Sequence, residues 1–364
     1  MSDRFTSGHA LLIGVGGDLP GTVEDAEGIA KVLRDAERCA YPPQQVRLLA
    51  GADATRANIL AALDALARSV NAHSTVLFYF SGHGYRVTSS TDQAHYLLPY
   101  GYDLQKLPQT AVSGAELAGR LRALAARKVL VLLDCCHAGG VGQAKAPGLE
   151  LAKAPLPGEA LALLEEGRGV VLVASSREDE LSYAGRPYSA FTLALLEALS
   201  GVGVAKKDGW VRVADLALHA REVVPGRTKG KQHPILHFEH ADNFAVAYYA
   251  GGDTEPKGLP FDAGEVVIEL APGPSGQASK LRRILLRRLS WEPDFLNLCA
   301  DLGIDIHSLP GETYDRKVLE LVTRFDQRDQ LSSIVQVLRD WLANDPQWRR
   351  YGDALRQDLE ELGI

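Results

Sequence analysis

The feature that most limits how this chain folds is an alternation. Between residues 8 and 248, apolar runs of four to six residues are separated by amphipathic stretches of helical length. Runs this short, apolar at nearly every position, read as strands buried on both faces of a parallel sheet, with the amphipathic stretches as crossover helices. The strand candidates are Ala10 to Val15, Val46 to Leu49, Val76 to Phe80, Val129 to Leu133 and Val170 to Ala174. Helix candidates lie near Thr22 to Asp35, Thr55 to Ser69, Gly114 to Ala126, Tyr188 to Leu199 and Val211 to Val223. The pattern predicts a three-layer α/β domain with a mostly parallel central sheet over residues 1–250.

Beyond it the composition changes. Residues 251–279 carry GGDTEPKG and APGPSG around one apolar run, Val266 to Leu270, and this punctuation marks a linker with room for a single strand. From Lys280 onward, 13 basic and 15 acidic residues fall within 85, with Leu281, Ile284, Leu285, Leu289, Phe295 and Leu298 at helical spacing. Residues 280–364 therefore read as a small all-helical bundle of about five helices. Over the whole chain, 39 Lys and Arg stand against 46 Asp and Glu, a net charge of -7 without long single-sign runs. That balance offers no general pull toward nucleic acid. No apolar stretch reaches the roughly 18 to 20 residues that span a bilayer, and the start lacks a signal-peptide pattern, so a cytoplasmic protein is expected.

Two strand candidates run into reactive side chains: Val76 to Phe80 into Ser81-Gly82-His83-Gly84, and Val129 to Leu133 into Asp134-Cys135-Cys136-His137-Ala138-Gly139. Ligands of open parallel sheets bind beyond the carboxyl ends of the strands, so both segments are expected in one crevice. A histidine facing a cysteine can take the thiol proton and later return it to a leaving amine. The backbone amides of Gly84 and Cys136 are candidate donors to an oxyanion. Four cysteines without a Cys-x-x-Cys pair leave no zinc or disulfide scaffold, and Gly14-Val15-Gly16-Gly17 lacks the G-x-G-x-x-G of a dinucleotide site. No cofactor and no metal are expected.

At these residues the chain resembles the caspase-like cysteine peptidases of clan CD, and within them the metacaspases and their prokaryotic relatives. Caspases carry their histidine about 50 residues before the cysteine, and here 136 − 83 = 53. Leu19-Pro20-Gly21-Thr22-Val23-Glu24-Asp25-Ala26, Ala174-Ser175-Ser176, Phe191-Thr192 and Gln232-His233-Pro234 are similar to further segments of that family. The resemblance implies Cys136 as nucleophile, His83 as its base, and Asp25 and Asp134 as acids lining the primary substrate pocket. A carboxylate pair there suits a guanidinium or ammonium, so cleavage after Arg or Lys is expected. The competing role for Asp25 is capping a helix, and for Asp134 orienting the nucleophile turn.

Calcium-dependent metacaspases gather acids after the histidine, whereas Tyr85 to Asp103 offers only Asp92 and Asp103, so no calcium requirement is expected. The long Val141 to Gly169 segment sits where related enzymes are cut. Lys145 and Lys153 are its candidate self-cleavage points, with an ordinary exposed loop as the alternative. Residues 280–364 resemble bacterial effector-associated, death-like domains through Leu309-Pro310-Gly311, Arg316, Glu320-Leu321-Val322, Arg328 and Leu331. That likeness implies a partner protein bound through the tail, and a bacterial defence or signalling role. Two other readings stand beside a peptidase acting on proteins or peptides: an inert caspase-fold scaffold, and a hydrolase of small amides.

Overall fold

The computed structural model describes residues 4–88, 93–135, 150–153, 169–177, 180, 182–237, 242–260, 267–268, 276–289, 291–309, 314–326, 330–344, 348 and 352–362. Contacts divide the chain into two units, Met1–Ala271 and Pro272–Ile364.

The first unit is built on a sheet of nine strands among the described residues. Its central path is formed by β1 (Gly8–Gly14), β2 (Val46–Ala50), β3 (Thr75–Thr88), β6 (Lys128–Cys135), β8 (Val170–Ala174) and β11 (Ile235–His237), in the order β2-β1-β3-β6-β8-β11. The first five pair in parallel, and β11 adds antiparallel to β8. The shorter strands β4 (Gln93–Leu98), β5 (Val112–Ser113) and β7 (Glu150–Lys153) attach beyond this path.

Helices α1 (Gly21–Arg34), α2 (Arg56–Ser69), α3 (Leu107–Thr110), α4 (Gly114–Arg122), α5 (Ala190–Leu199) and α6 (Val213–Arg227) follow in chain order. Successive strand side chains point to opposite faces, and both faces are covered. Leu12, Leu77, Tyr79, Leu130, Leu132, Val171 and Val173 pack on one side with α1, α5 and α6. Their neighbours Leu11, Ile13, Val76, Phe78, Val129, Val131 and Leu172 pack on the other with α2 and α4. Burial on both faces is why the strands read as unbroken apolar runs.

The sheet is longer than the apolar runs. β3 continues eight residues past Phe80, directly through the Ser81-Gly82-His83-Gly84 motif. Its far half exchanges parallel partners for antiparallel ones: His83 stands opposite Leu98 of β4, and Tyr85 stands opposite Lys153 of β7. The histidine motif is thus a segment of strand, beyond the Val76 to Phe80 run that the apolar pattern marks out. Gly82 is required by packing, because a Cβ there would lie 2.7 Å from Val15 and 2.9 Å from Phe80.

Among the described residues, two small ladders complete the unit, β10 (Trp210–Arg212) with β12 (Ala245–Tyr248) and β9 (Gly185–Arg186) with β13 (Val267–Ile268). The apolar run in residues 251–279 therefore supplies one short strand, and it pairs within the first unit. The second unit holds α7 (Gly276–Arg288), α8 (Leu296–Asp301), α9 (Tyr314–Asp326), α10 (Leu331–Asn344) and α11 (Gly352–Leu362) around a separate core. Leu281, Ile284, Leu285, Leu289, Phe295 and Leu298, the positions picked out by helical spacing, are all buried in it. Pro310, Gly311 and Arg328 lie outside the described residues. Among the described residues, no helix is long and apolar enough to cross a membrane.

Candidate active site

The site grows from the ladder between β3 and β6. Parallel register sets Ser81 beside Asp134 and Gly82 beside Cys135. The residue before His83 and the residue before Cys136 are therefore direct neighbours across the sheet. Cys136 and Lys145 lie outside the described residues; Lys153 is placed in β7 by its backbone alone. Gly84 stands opposite Leu97 in the β3–β4 ladder.

His83 is 1% exposed. Its Nε2 lies 2.8 Å from Oδ2 of Asp18, a residue no motif singled out. The Tyr102 ring meets the imidazole edge-on, with centroids 6.5 Å apart. Burial, and then the charge of Asp18, push the Tyr102 hydroxyl above its usual range. Asp103, counted above as a possible calcium ligand, accepts from the Gln105 amide at 2.9 Å and so caps a turn; Asp92 lies outside the described residues.

Asp25 and Asp134 converge beneath the same strand ends, and both are almost wholly buried, at 1% and 0% exposure. Asp25, on α1, accepts from Ser81 Oγ at 3.2 Å and from the Ser189 amide at 2.8 Å. Asp134 accepts from Ser182 Oγ at 2.6 Å, Ser189 Oγ at 2.5 Å and Thr192 Oγ1 at 3.3 Å. Ser189 therefore bridges the two carboxylates while also capping α5, where its Oγ accepts from the Thr192 amide at 3.0 Å. Burial first, and then the neighbouring Asp134 carboxylate, raise Asp25 well above the ordinary carboxylate range. Tyr79 hydroxyl and Thr192 Oγ1 share a 2.6 Å bond below the pair.

A further layer holds the serines. Gln232 Nε2 donates to Ser175 O at 2.9 Å and to Ser182 Oγ at 3.1 Å, and Gln232 Oε1 accepts from the Tyr183 amide at 2.9 Å. His233, next in sequence, bonds Glu180 through both its amide and Nδ1 at 2.6 Å. The Gln-His-Pro segment thus fixes the stretch that delivers Ser182. Ser182 and Ser189 sit in no motif; their signal, legible only afterwards, is a pair of serines flanking the two-residue strand β9. Asp18 had a stronger signal, an acid that directly follows a glycine pair four residues past the end of β1. Among the described residues, no group of three or more His, Cys, Asp or Glu is arranged to hold a metal ion. The arrangement offers a buried imidazole held by a carboxylate, with a buried acid pair at the ends of the same strands.

The sequence profile of the family described as Caspase domain matches residues 7–245. No curated protein matches at a significant level. Among solved structures, the chain is similar to protein GSU0716 from Geobacter sulfurreducens, at 17% identity and a TM-score of 0.45, over 68% of this chain and 99% of that one.

Proposed function

The chain belongs to the caspase domain family, and on that premise we propose that it is a metacaspase-type cysteine endopeptidase cutting after Arg or Lys. Cys136 is the nucleophile and His83 its base. The observation that carries this reading is the register pairing Gly82 with Cys135, which makes the two motif strands immediate neighbours at the point where each reaches its reactive residue.

The chemistry then follows in order. The Cys136 thiol gives its proton to His83, and the sulfur bonds to the scissile carbonyl carbon. The C–N bond breaks as the imidazolium protonates the leaving amine, and water hydrolyses the thioester. The amides of Gly84 and Cys136 donate to the oxyanion, a contribution of about 3 kcal/mol for each donor. Asp25 and Asp134 form the floor of the primary pocket. An entering guanidinium exchanges the Ser182 and Ser189 hydroxyl bonds for stronger charge-assisted ones. The helical unit recruits the peptidase to a partner protein as a bacterial defence or signalling effector, a reading its separate core and mixed charge support.

A panel of peptides varying the residue before the scissile bond tests all of this. Wild type is expected to turn over Arg and Lys peptides only, Cys136→Ala nothing, and Asp134→Asn Arg peptides at least about 10-fold more slowly, the loss of one charge-assisted pair. A chain lacking residues 280–364 is expected to keep full peptide turnover. Silence across the panel in an activated sample means a scaffold. Turnover of free amides alone means a small-amide hydrolase.

A further inference from the structure

The carboxylate on the histidine ring comes from a loop built to present it. Directly after β1, Gly16 and Gly17 adopt φ of +69° and +68°, the left-handed region that side chains disfavour. The Gly16 amide donates to Thr22 Oγ1 at 2.8 Å, that hydroxyl donates to Leu19 O at 2.8 Å, and the Leu19 amide returns to Gly16 O at 3.2 Å. These bonds close a small ring of chain with Asp18 at its tip. From there Asp18 reaches across 65 residues of sequence to His83, keeping its side chain 42% exposed while the histidine side chain is 2% exposed. A water-facing aspartate gains little by pairing with a surface cation. Contact with a buried ring nitrogen instead fixes that ring's rotation and its tautomer.

We infer that Asp18 is a positioning residue for His83. It accepts the Nε2–H bond, which makes Nδ1 the basic nitrogen, and it stabilises the imidazolium formed once the Cys136 thiol proton has moved to Nδ1. No proton enters or leaves in this step: sulfur loses one, Nδ1 gains it, and Nε2 keeps its own. The inference rests on the reading of His83 and Cys136 as base and nucleophile.

The test compares wild type, Asp18→Ala, Asp18→Asn and Cys136→Ala by kcat and KM on an Arg peptide, and by the rate of Cys136 alkylation with iodoacetamide at pH 6.5 to 8. For Asp18→Ala, kcat is expected to fall about 10- to 100-fold, less than for a fully buried orienting aspartate because Asp18 is open to water. KM stays within twofold, and alkylation slows in parallel. Asp18→Asn keeps an oxygen acceptor without the charge and falls between. A kcat and alkylation rate within twofold of wild type in Asp18→Ala, with Cys136→Ala inactive, overturns the role of Asp18 alone. So does a change confined to KM. Undiminished turnover by Cys136→Ala instead overturns the peptidase reading, and the inference falls with it.

Discussion

Asp25 is a side chain whose burial works against the fold. Buried beside a second carboxylate, it keeps its proton in the folded chain to a higher pH than in the unfolded chain. The unfolded state therefore releases that proton first, and stability falls as pH climbs from about 4, the ordinary aspartate value, toward the raised folded value. Asparagine fits the same position: its oxygen accepts from the Ser189 amide, and its NH2 donates to Ser81 Oγ. Asp25→Asn is expected to raise stability near pH 7.5 by about 1 kcal/mol, or ~2–4 °C in Tm, and to weaken turnover of Arg and Lys peptides. Melting curves from pH 4 to 8 check the sign: the two proteins converge at the acid end and separate as pH rises. An equal or lower Tm for the variant at pH 7.5 rules out strain at this carboxylate. At this scale the sequence was legible where chemistry is local. His83, Asp134 and Asp25 each stand in a short recognisable segment. Asp18, Ser182 and Ser189 do not: each reaches the site through a partner 48 or more residues away, and the glycine pair before Asp18 and the serines flanking β9 do not say what they pair with.

Secondary-structure elements were readable to the extent that burial writes a period into them. The five central strands and the long helices lie where apolar runs and amphipathic stretches predict. The second half of β3 was hidden, because its polar and glycine residues carry no such period, and one of its ladder partners, β7, comes from residues 150–153, far along the chain. The seam between α5 and α6 is equally silent in sequence. Glu197 on α5 bonds His219 Nε2 at 2.8 Å and also pairs with Arg227, both on α6. Burial by itself would raise Glu197, but the bonds from His219 and Arg227 outweigh it and hold the carboxyl below the usual glutamate range. A depressed folded value means this contribution is present above about pH 4.5 and disappears as pH falls through the folded value. Glu197→Ala, which leaves the Arg227 charge without its buried partner, is expected to destabilise the first unit by about 3 kcal/mol at pH 7. Denaturant melts at pH 7 and pH 3 decide it: the deficit shrinks at the lower pH, and a deficit that is constant with pH assigns the loss to packing alone.

For the whole molecule, the decisive feature is that the described residues fall into two units, each with a buried core of its own. Leu12, Tyr79, Leu132 and their neighbours belong to one, and Leu281, Phe295 and Leu338 to the other. The composition changes after residue 250, the second core is built from Ala278 onward, and the short strand Val267–Ile268 pairs within the first unit. Each core carries a cysteine that reports on it. Burial pushes the Cys39 thiol far above its ordinary range, and pushes the Cys299 thiol up to about 12. Only a thiolate reacts with alkylating reagents, so neither cysteine is labelled at pH 8 while its own unit remains folded. Pulse alkylation along a urea gradient, read by peptide mass, then measures the two units separately within one chain. Independent cores predict two midpoints, with Cys299 exposed first, because the smaller unit buries less of the surface its unfolded chain would show. Coincident midpoints for Cys39 and Cys299 would mean that the helical unit is held to the peptidase as one cooperative body, and a tail bound that tightly is not free to recruit a partner independently of the peptidase's own state.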